Sequence, residues 1–166
     1  MLDPETQDIT QVSFNQSHDL YPVVMSDGKI VFTRWENFGN DALSLYEMNP
    51  DGTELQLLYG HHSQGTGAAN TRTRFIRSNV LPDGDLFTLI RPDETTFYGG
   101  DFVRIDTERY IDNTQAVATS SGSGPAQTSI TDREILTNGN ISPGGYYSAF
   151  YPLWDDTGRA IVSWSR

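Results

Sequence analysis

The chain of 166 residues carries a net charge of −11, with 36% hydrophobic and 11% aromatic residues, which allows one domain with a modest core. This acidity excludes nucleic acid and anionic lipid as preferred partners, because both select basic surfaces. The absence of cysteine excludes disulfides, thiolate metal sites, cysteine nucleophiles and c-type haem attachment within these residues. No apolar run is long enough to insert into a membrane, and the first residues lack the pattern of a signal peptide.

Two apolar segments flanking a glycine turn recur along the chain and predict three β-hairpins. The first hairpin has strands at residues 21–25 and 29–34 around Gly28, and the second has strands at 74–81 and 85–90 around Gly84. The third begins near residue 147 and turns at Gly158. Such turns are strong hairpin signals because glycine tolerates the positive φ that tight turns require.

Alternating segments predict the remaining strands, and no sustained helical period predicts a long helix. A lone strand is expected at residues 9–14. Strands at 43–48 and 54–59, around a turn at 49–52, complete the first unit. The second unit gains a strand at 101–106 and a fourth strand near 130–136, displaced by a Ser/Gly-rich stretch.

Repeated hairpins at long intervals predict an all-β, antiparallel partial β-propeller of about two complete four-stranded blades plus flanking strands. The expected organisation is a tail with an orphan strand (1–18), a first blade (19–60), a Gly/His-rich loop (61–73), a second blade (74–140) containing an insertion at 119–128, and half of a third blade (141–166). A closed propeller needs ~4–8 blades. We therefore expect these residues to be a piece of a longer polypeptide, with open sheet edges that pair with its other domains or with another chain. The alternative is a small irregular β domain, such as a sandwich of about six to ten strands.

Two stretches of sequence resemble a known kind of blade. The segments Ser26-Asp27-Gly28-Lys29-Ile30-Val31-Phe32-Thr33 and Leu45-Tyr46-Glu47-Met48-Asn49-Pro50-Asp51-Gly52-Thr53 resemble the WD40-like PD40 blades of the TolB type. Residues 150–155, Arg159 and residues 161–165 resemble, more narrowly, proteins related to the α subunit of hydrazine synthase. This resemblance implies a large, secreted bacterial protein with a propeller domain, in the periplasm or outside the cell. The resemblance implies no haem binding here, because c-type haems are attached through cysteine and the chain has none.

Four residues of one loop region are candidates for binding at the propeller rim. His61 and His62 lie in a Gly-rich loop, and imidazole is the commonest metal ligand. Only His18 is available as a third histidine, so a polar rim loop is favoured over a metal site. Arg72 and Arg74, followed by Arg77, can bind an anion or pair with the excess of acidic residues, and the second interpretation is favoured.

The remaining candidates are explained by structure rather than by catalysis. Asp155, Asp156 and Glu134 suggest paired carboxylates, but Asp156 occupies the position of a turn residue. No nucleophile elbow or phosphate loop is present, and the Ser/Gly-rich stretch has a linker composition. A set of aromatic residues can form a carbohydrate or peptide platform or pack between blades, and packing is preferred: Trp35, Phe38, Phe97, Tyr98, Tyr146, Tyr147 and Phe150.

We therefore expect no catalytic site, no cofactor and no tightly held metal in these residues. Two functions stay open at this point. The chain is either a non-catalytic scaffold or interaction module, or the propeller domain of an enzyme whose catalytic centre lies elsewhere in the polypeptide.

Overall fold

The computed structural model describes residues 1–95, 98–131 and 135–166 and shows an all-β, antiparallel protein. A single-turn 3₁₀ segment, Ala68–Asn70, interrupts the strands. The strands are β1 (Asp19–Val24), β2 (Ile30–Glu36), β3 (Ala42–Met48), β4 (Gln56–Tyr59), β5 (Thr73–Val80), β6 (Leu86–Pro92), β7 (Asp101–Ile105), β8 (Tyr110–Asp112), β9 (Gln115–Ala116), β10 (Gln127–Ser129), β11 (Tyr146–Pro152) and β12 (Ala160–Ser165).

The strands form three main sheets and one small hairpin. Sheet 1 has four strands in the order β1-β2-β3-β4, and sheet 2 has four in the order β10-β7-β6-β5. Sheet 3 is the β11–β12 hairpin, and β8 pairs with β9. This arrangement confirms the predicted fold class of partial propeller blades.

The sequence predicts that the turns at Gly28, Gly84 and Gly158 are equivalent, and the first two of them are. Gly28 and Gly84 have φ values of +89° and +92°. The Met25 N–H donates to the Lys29 carbonyl at 2.8 Å, and the Leu81 N–H donates to the Asp85 carbonyl at 2.8 Å. Both loops therefore span the same number of residues and leave the flanking strands in the same register.

The third turn departs from that register. The hydrogen bond that closes it joins the Leu153 N–H to the Arg159 carbonyl at 2.8 Å, so its loop is two residues longer than the others. Asp155 fills the wider turn by accepting hydrogen bonds from the backbone N–H and the hydroxyl of Thr157. Tyr21-Pro22 and Tyr151-Pro152 lie at the same distance from Gly28 and Gly158 in the sequence, but they consequently do not occupy the same position in β1 and β11. Tyr21 lies in a β-bulge, whereas Tyr151 pairs regularly with Ile161.

The three main sheets stack face to face in chain order. One core cluster joins sheets 1 and 2 through residues such as Val31, Leu45, Phe75 and Ile105. A second cluster joins sheets 2 and 3, where Phe87 and Phe102 meet Phe150. Three stacked sheets match consecutive propeller blades and replace the two-layer sandwich that the sequence left open.

The first strands of successive sheets are neighbours and carry bulges. Tyr21 in β1 and Arg77 in β5 have φ values of +55° and +52°, and each lies at a bulge seven residues before its turn glycine. The Arg77 guanidinium lies over the Tyr21 ring at 5.7 Å and donates to the Ser148 carbonyl of β11 at 2.6 Å. Arg77 therefore ties the first strands of all three sheets together.

Two strand predictions are wrong, and one hairpin was not predicted. Residues 9–14 form no strand; Ile9 makes an isolated bridge with Leu2, because the alternating segment finds no sheet edge to pair with. The fourth strand of sheet 2 is β10, earlier than the predicted 130–136, since the polar Gln127–Ser129 segment reaches β7 first. Residues 132–134 of that prediction lie outside the described residues. The β8–β9 hairpin was not predicted.

Sheet 3 ends in an exposed strand. Among the described residues, β12 pairs only with β11, which leaves its other edge open. Ile161, Val162 and Trp164 on this strand are 64%, 45% and 40% exposed, respectively. In the part of the chain that the structure describes, we find no helix of the length and apolarity that crossing a bilayer requires.

Candidate functional site

The loop that joins β4 to β5, residues 60–72, forms an ordered rim loop and contains the predicted binding residues. The Gly60 N–H donates to the Ile111 carbonyl at 3.0 Å, which connects the start of the loop to β8. The Thr73 N–H donates to the Gln64 carbonyl at 2.6 Å, which folds the loop back onto the start of β5. These hydrogen bonds hold the backbone of the loop against the β8–β9 hairpin and the start of β5.

His61 is bound to a carboxylate at the end of β2. Its Nδ1 lies 3.2 Å from Oε2 of Glu36. Glu36 also accepts hydrogen bonds from the hydroxyls of Ser44 at 2.9 Å and Tyr46 at 2.8 Å. These donors come from β3 and the rim loop, so Glu36 connects the loop to sheet 1.

These hydrogen bonds shift the pKa values of Glu36 and Tyr46. Burial raises the pKa of Glu36, but the hydrogen bonds from Tyr46, Ser44 and His61 together outweigh it, so the pKa lies below its usual value. Burial and the Glu36 hydrogen bond raise the pKa of Tyr46 to about 12. Tyr46 therefore remains a hydrogen-bond donor at neutral pH, and Glu36 remains ionised.

The backbone of His62 is held by a different carboxylate. Oδ1 of Asp112 accepts hydrogen bonds from the His62 N–H at 2.8 Å and from the Ser63 hydroxyl at 2.7 Å. The His62 ring packs edge-on against the ring of His61, with 4.6 Å between the ring centroids. The two imidazoles are therefore in contact, while separate carboxylates bind the ring of His61 and the backbone of His62.

Arg72 and Arg74 lie together and share one carboxylate. Asp93 binds Nε of Arg72 at 3.2 Å and is also paired with Arg74. Arg72 further donates to the backbone carbonyls of Asn40 and Asp41. The two arginines thus meet at the start of β5, where they contact acidic side chains and backbone carbonyls of the protein itself.

The histidines and the arginines of the prediction form two clusters rather than one site. His18 stacks on Trp35 with 5.8 Å between ring centroids, and it belongs to neither cluster. Within residues 1–95, 98–131 and 135–166, no three His, Asp or Glu side chains are grouped as metal ligands. Asp155 is used in the turn before β12 and pairs with Arg159 at 2.9 Å, while Glu134 and Phe97 lie outside the described residues.

The sequence reasoning missed the three carboxylates of this region, Glu36, Asp93 and Asp112, and Asp112 is the most deeply placed of the loop's partners. It is only 5% exposed, at the end of β8, and it belongs to a hairpin whose two-residue strand β9 leaves no periodic signal. An available signal was the Asp112-Asn113-Thr114 run directly after Tyr110-Ile111, which is typical of a strand entering a turn.

One of the comparisons with known proteins bears on the fold. No family model and no curated protein matches this sequence. Among solved structures, the chain is similar to the hydrazine synthase of Kuenenia stuttgartiensis, with a TM-score of 0.62 and 17% sequence identity. The similarity covers 93% of this chain but only 17% of that chain. At this identity it shows a shared fold. It supports the resemblance seen in the sequence at that level, while the finer PD40/TolB assignment has no matching family model.

Proposed function

We propose that this chain is a non-catalytic β-propeller segment that acts as a scaffold or interaction module within a larger bacterial protein, secreted to the periplasm or beyond. We assign residues 19–60 and 74–140 to two blades of this module and residues 141–166 to the first half of a third blade. The observation that carries the proposal is the open edge of sheet 3, which has two strands where sheets 1 and 2 have four.

The chemistry of β12 supports pairing as the role of this edge. An unpaired strand presents a row of N–H and C=O groups that an extended segment can bind. Ile161 and Trp164 on this strand are 64% and 40% exposed, so a strand added here would also cover apolar surface. We propose that further strands of the same polypeptide occupy this edge and complete the sheet.

Sedimentation of the 166-residue chain over a concentration series tests the proposal. Without its partner strands, the chain should self-associate through β12. Ile161→Lys should restore a monomer, because a lysine on an edge strand disfavours pairing. Val24→Lys is the matched control, since Val24 is 65% exposed on β1. A wild-type chain that is monomeric throughout and melts cooperatively, or a Val24→Lys effect equal to that of Ile161→Lys, would contradict the proposal.

A second candidate is the propeller domain of a multidomain enzyme, with a redox, haem or hydrolase centre elsewhere in the polypeptide. The observation in its favour is that the structurally similar chain is named as a synthase and is much longer than this one, which spans 17% of it. Sequencing the complete reading frame separates the two candidates. Cys-x-x-Cys-His or hydrolase motifs in the flanking sequence would favour the enzyme.

A further inference from the structure

A polar cavity lies between the rim loop and the β8–β9 hairpin, next to Asp112. It has a volume of about 430 Å³ and is lined from both sides, by His62 to Asn70 of the loop and by Asp112 to Gln115 of the hairpin. Of the described residues that line it, none is a lysine or an arginine.

One oxygen of the Asp112 carboxylate is available to this cavity. Oδ1 is used by His62 and Ser63, whereas Oδ2 has no hydrogen bond or ion pair with any described residue. Asp112 is only 5% exposed and lines the cavity. Oδ2 of Asp112 does not belong to the fully buried polar atoms that lack a hydrogen-bond partner, so this oxygen keeps some solvent-accessible surface. Buried carboxylates in proteins are normally paired with a cation or coordinate a metal.

The remaining lining groups supply neutral oxygen atoms. Asn70, Thr114 and Gln115 line the cavity as exposed residues, and no hydrogen bond joins their side chains to the described part of the chain. Amide and hydroxyl oxygens with a carboxylate are the ligands that a hard cation such as Ca²⁺ prefers, and water completes its six to eight ligands. The imidazole of His62 is an edge-on neighbour of His61 and is not needed for this set.

The surrounding hydrogen bonds hold the carboxylate in place before any ligand binds. The Asn113 N–H donates to the Ser63 hydroxyl oxygen at 2.7 Å, and the Ala126 N–H donates to the Asn113 carbonyl at 2.8 Å. The Gln127 N–H donates to Oδ1 of Asn113 at 3.0 Å, which connects the hairpin to β10. A site held in this way loses little conformational freedom on binding.

From this arrangement we infer that the cavity between the rim loop and the β8–β9 hairpin is a calcium-type cation site, with Oδ2 of Asp112 as its charged ligand. A single carboxylate gives a weak site, in the range of about 10⁻⁴–10⁻³ M that extracellular calcium modules show. Calcium bound here would connect the rim loop to the β8–β9 hairpin.

Isothermal titration of the 166-residue chain with calcium chloride, together with thermal melts, tests this inference. At about ten times the Kd, calcium should raise the Tm by about 3 °C. Choline chloride at the same ionic strength should raise it by less than about 1 °C. An equal rise with both salts overturns the inference.

Two variants identify the ligands. Asp112→Asn should weaken calcium binding at least about tenfold, because the amide keeps an acceptor for His62 and Ser63 but has no charge. Asp8→Asn removes the same charge from an exposed segment and should leave the affinity unchanged. Should Asp112→Asn fail to fold by circular dichroism, the Asn70→Ala/Gln115→Ala variant replaces it and should weaken binding by about twofold or more.

Other outcomes distinguish a different ligand. Binding that survives Asp112→Asn but is lost in His61→Ala/His62→Ala overturns the inference in favour of a histidine site. Methylammonium chloride probes an organic cation. If it binds in an Asp112-dependent manner and calcium does not, the calcium inference fails and the cavity is an ammonium site.

Discussion

Replacing Phe102 with alanine should show that the contact between sheets 2 and 3 stabilises the fold. Phe102 is 0% exposed, and its ring lies 5.6 Å from that of Phe87 and 5.4 Å from that of Phe150. Truncating a fully buried phenylalanine costs about 3–5 kcal/mol, from lost burial and from the cavity left behind. Domains of this kind have only ~5–15 kcal/mol of stability, so the loss is a large share of the total.

Urea denaturation followed by tryptophan fluorescence measures this loss. Phe38→Ala is the control, because Phe38 is 94% exposed and its removal should change the free energy of unfolding by less than about 0.5 kcal/mol. A double-mutant cycle of Phe102→Leu and Phe150→Leu should give a coupling of about 0.5–1.5 kcal/mol if the rings meet across the sheets. A Phe102→Ala loss below about 1 kcal/mol, or no coupling, would refute the stacking of sheet 3 on sheet 2.

Two further predictions concern the rim loop. Gly60→Ala should lower the free energy of unfolding by more than about 1 kcal/mol, since Gly60 has φ +102° and an added Cβ would lie 2.8 Å from the Phe75 ring. Gly39 has φ +96° and no atom within 4 Å of an added Cβ, so Gly39→Ala measures the backbone strain alone in the same urea titration. The pKa of Glu36 is lowered in the folded state, so its ionised form stabilises the fold. Wild type should therefore be more stable than Glu36→Gln at any pH above the usual carboxyl pKa. This difference in stability should disappear as the pH falls through the lowered pKa. A wild-type-minus-variant difference that grows on acidification, in melts from pH 7 to pH 2.5, would contradict this sign.

The parts of the fold that the sequence predicts are those with local signals. The turns at Gly28 and Gly84 are recognisable because the residue type, the flanking apolar strands and the backbone conformation agree. The strand predicted at residues 9–14 fails because alternation alone does not supply a partner edge. The polar strand β10 is placed wrongly because an edge strand is defined by its neighbour, and its three residues carry no apolar pattern.

The candidate site divides in the same way. His61 and His62 are visible in the sequence as an unusual pair in a glycine-rich loop. Their partners, Glu36 and Asp112, lie 25 and 50 residues away from the histidine that each one holds. Such contacts depend on how the sheets stack, so a single sequence contains no local pattern for them. The pairing of Arg72 and Arg74 with acidic residues follows from the charge excess, although Asp93 as the shared partner does not.

The segment between β7 and β10, residues 106–126, should accept added sequence at Gly124. Its two ends meet where the Asp106 N–H donates to the Ala126 carbonyl at 3.1 Å, so the ladder of sheet 2 continues past it. Doubling the length of a flexible loop costs only about 0.6 kcal/mol in closure entropy. At Gly124, with φ +120°, an added Cβ would meet nothing within 4 Å, whereas Gly122 packs closely against Tyr110. A short affinity peptide inserted next to Gly124 should therefore leave both core clusters unchanged, provided that the glycine itself is kept, because its positive φ would strain any other residue.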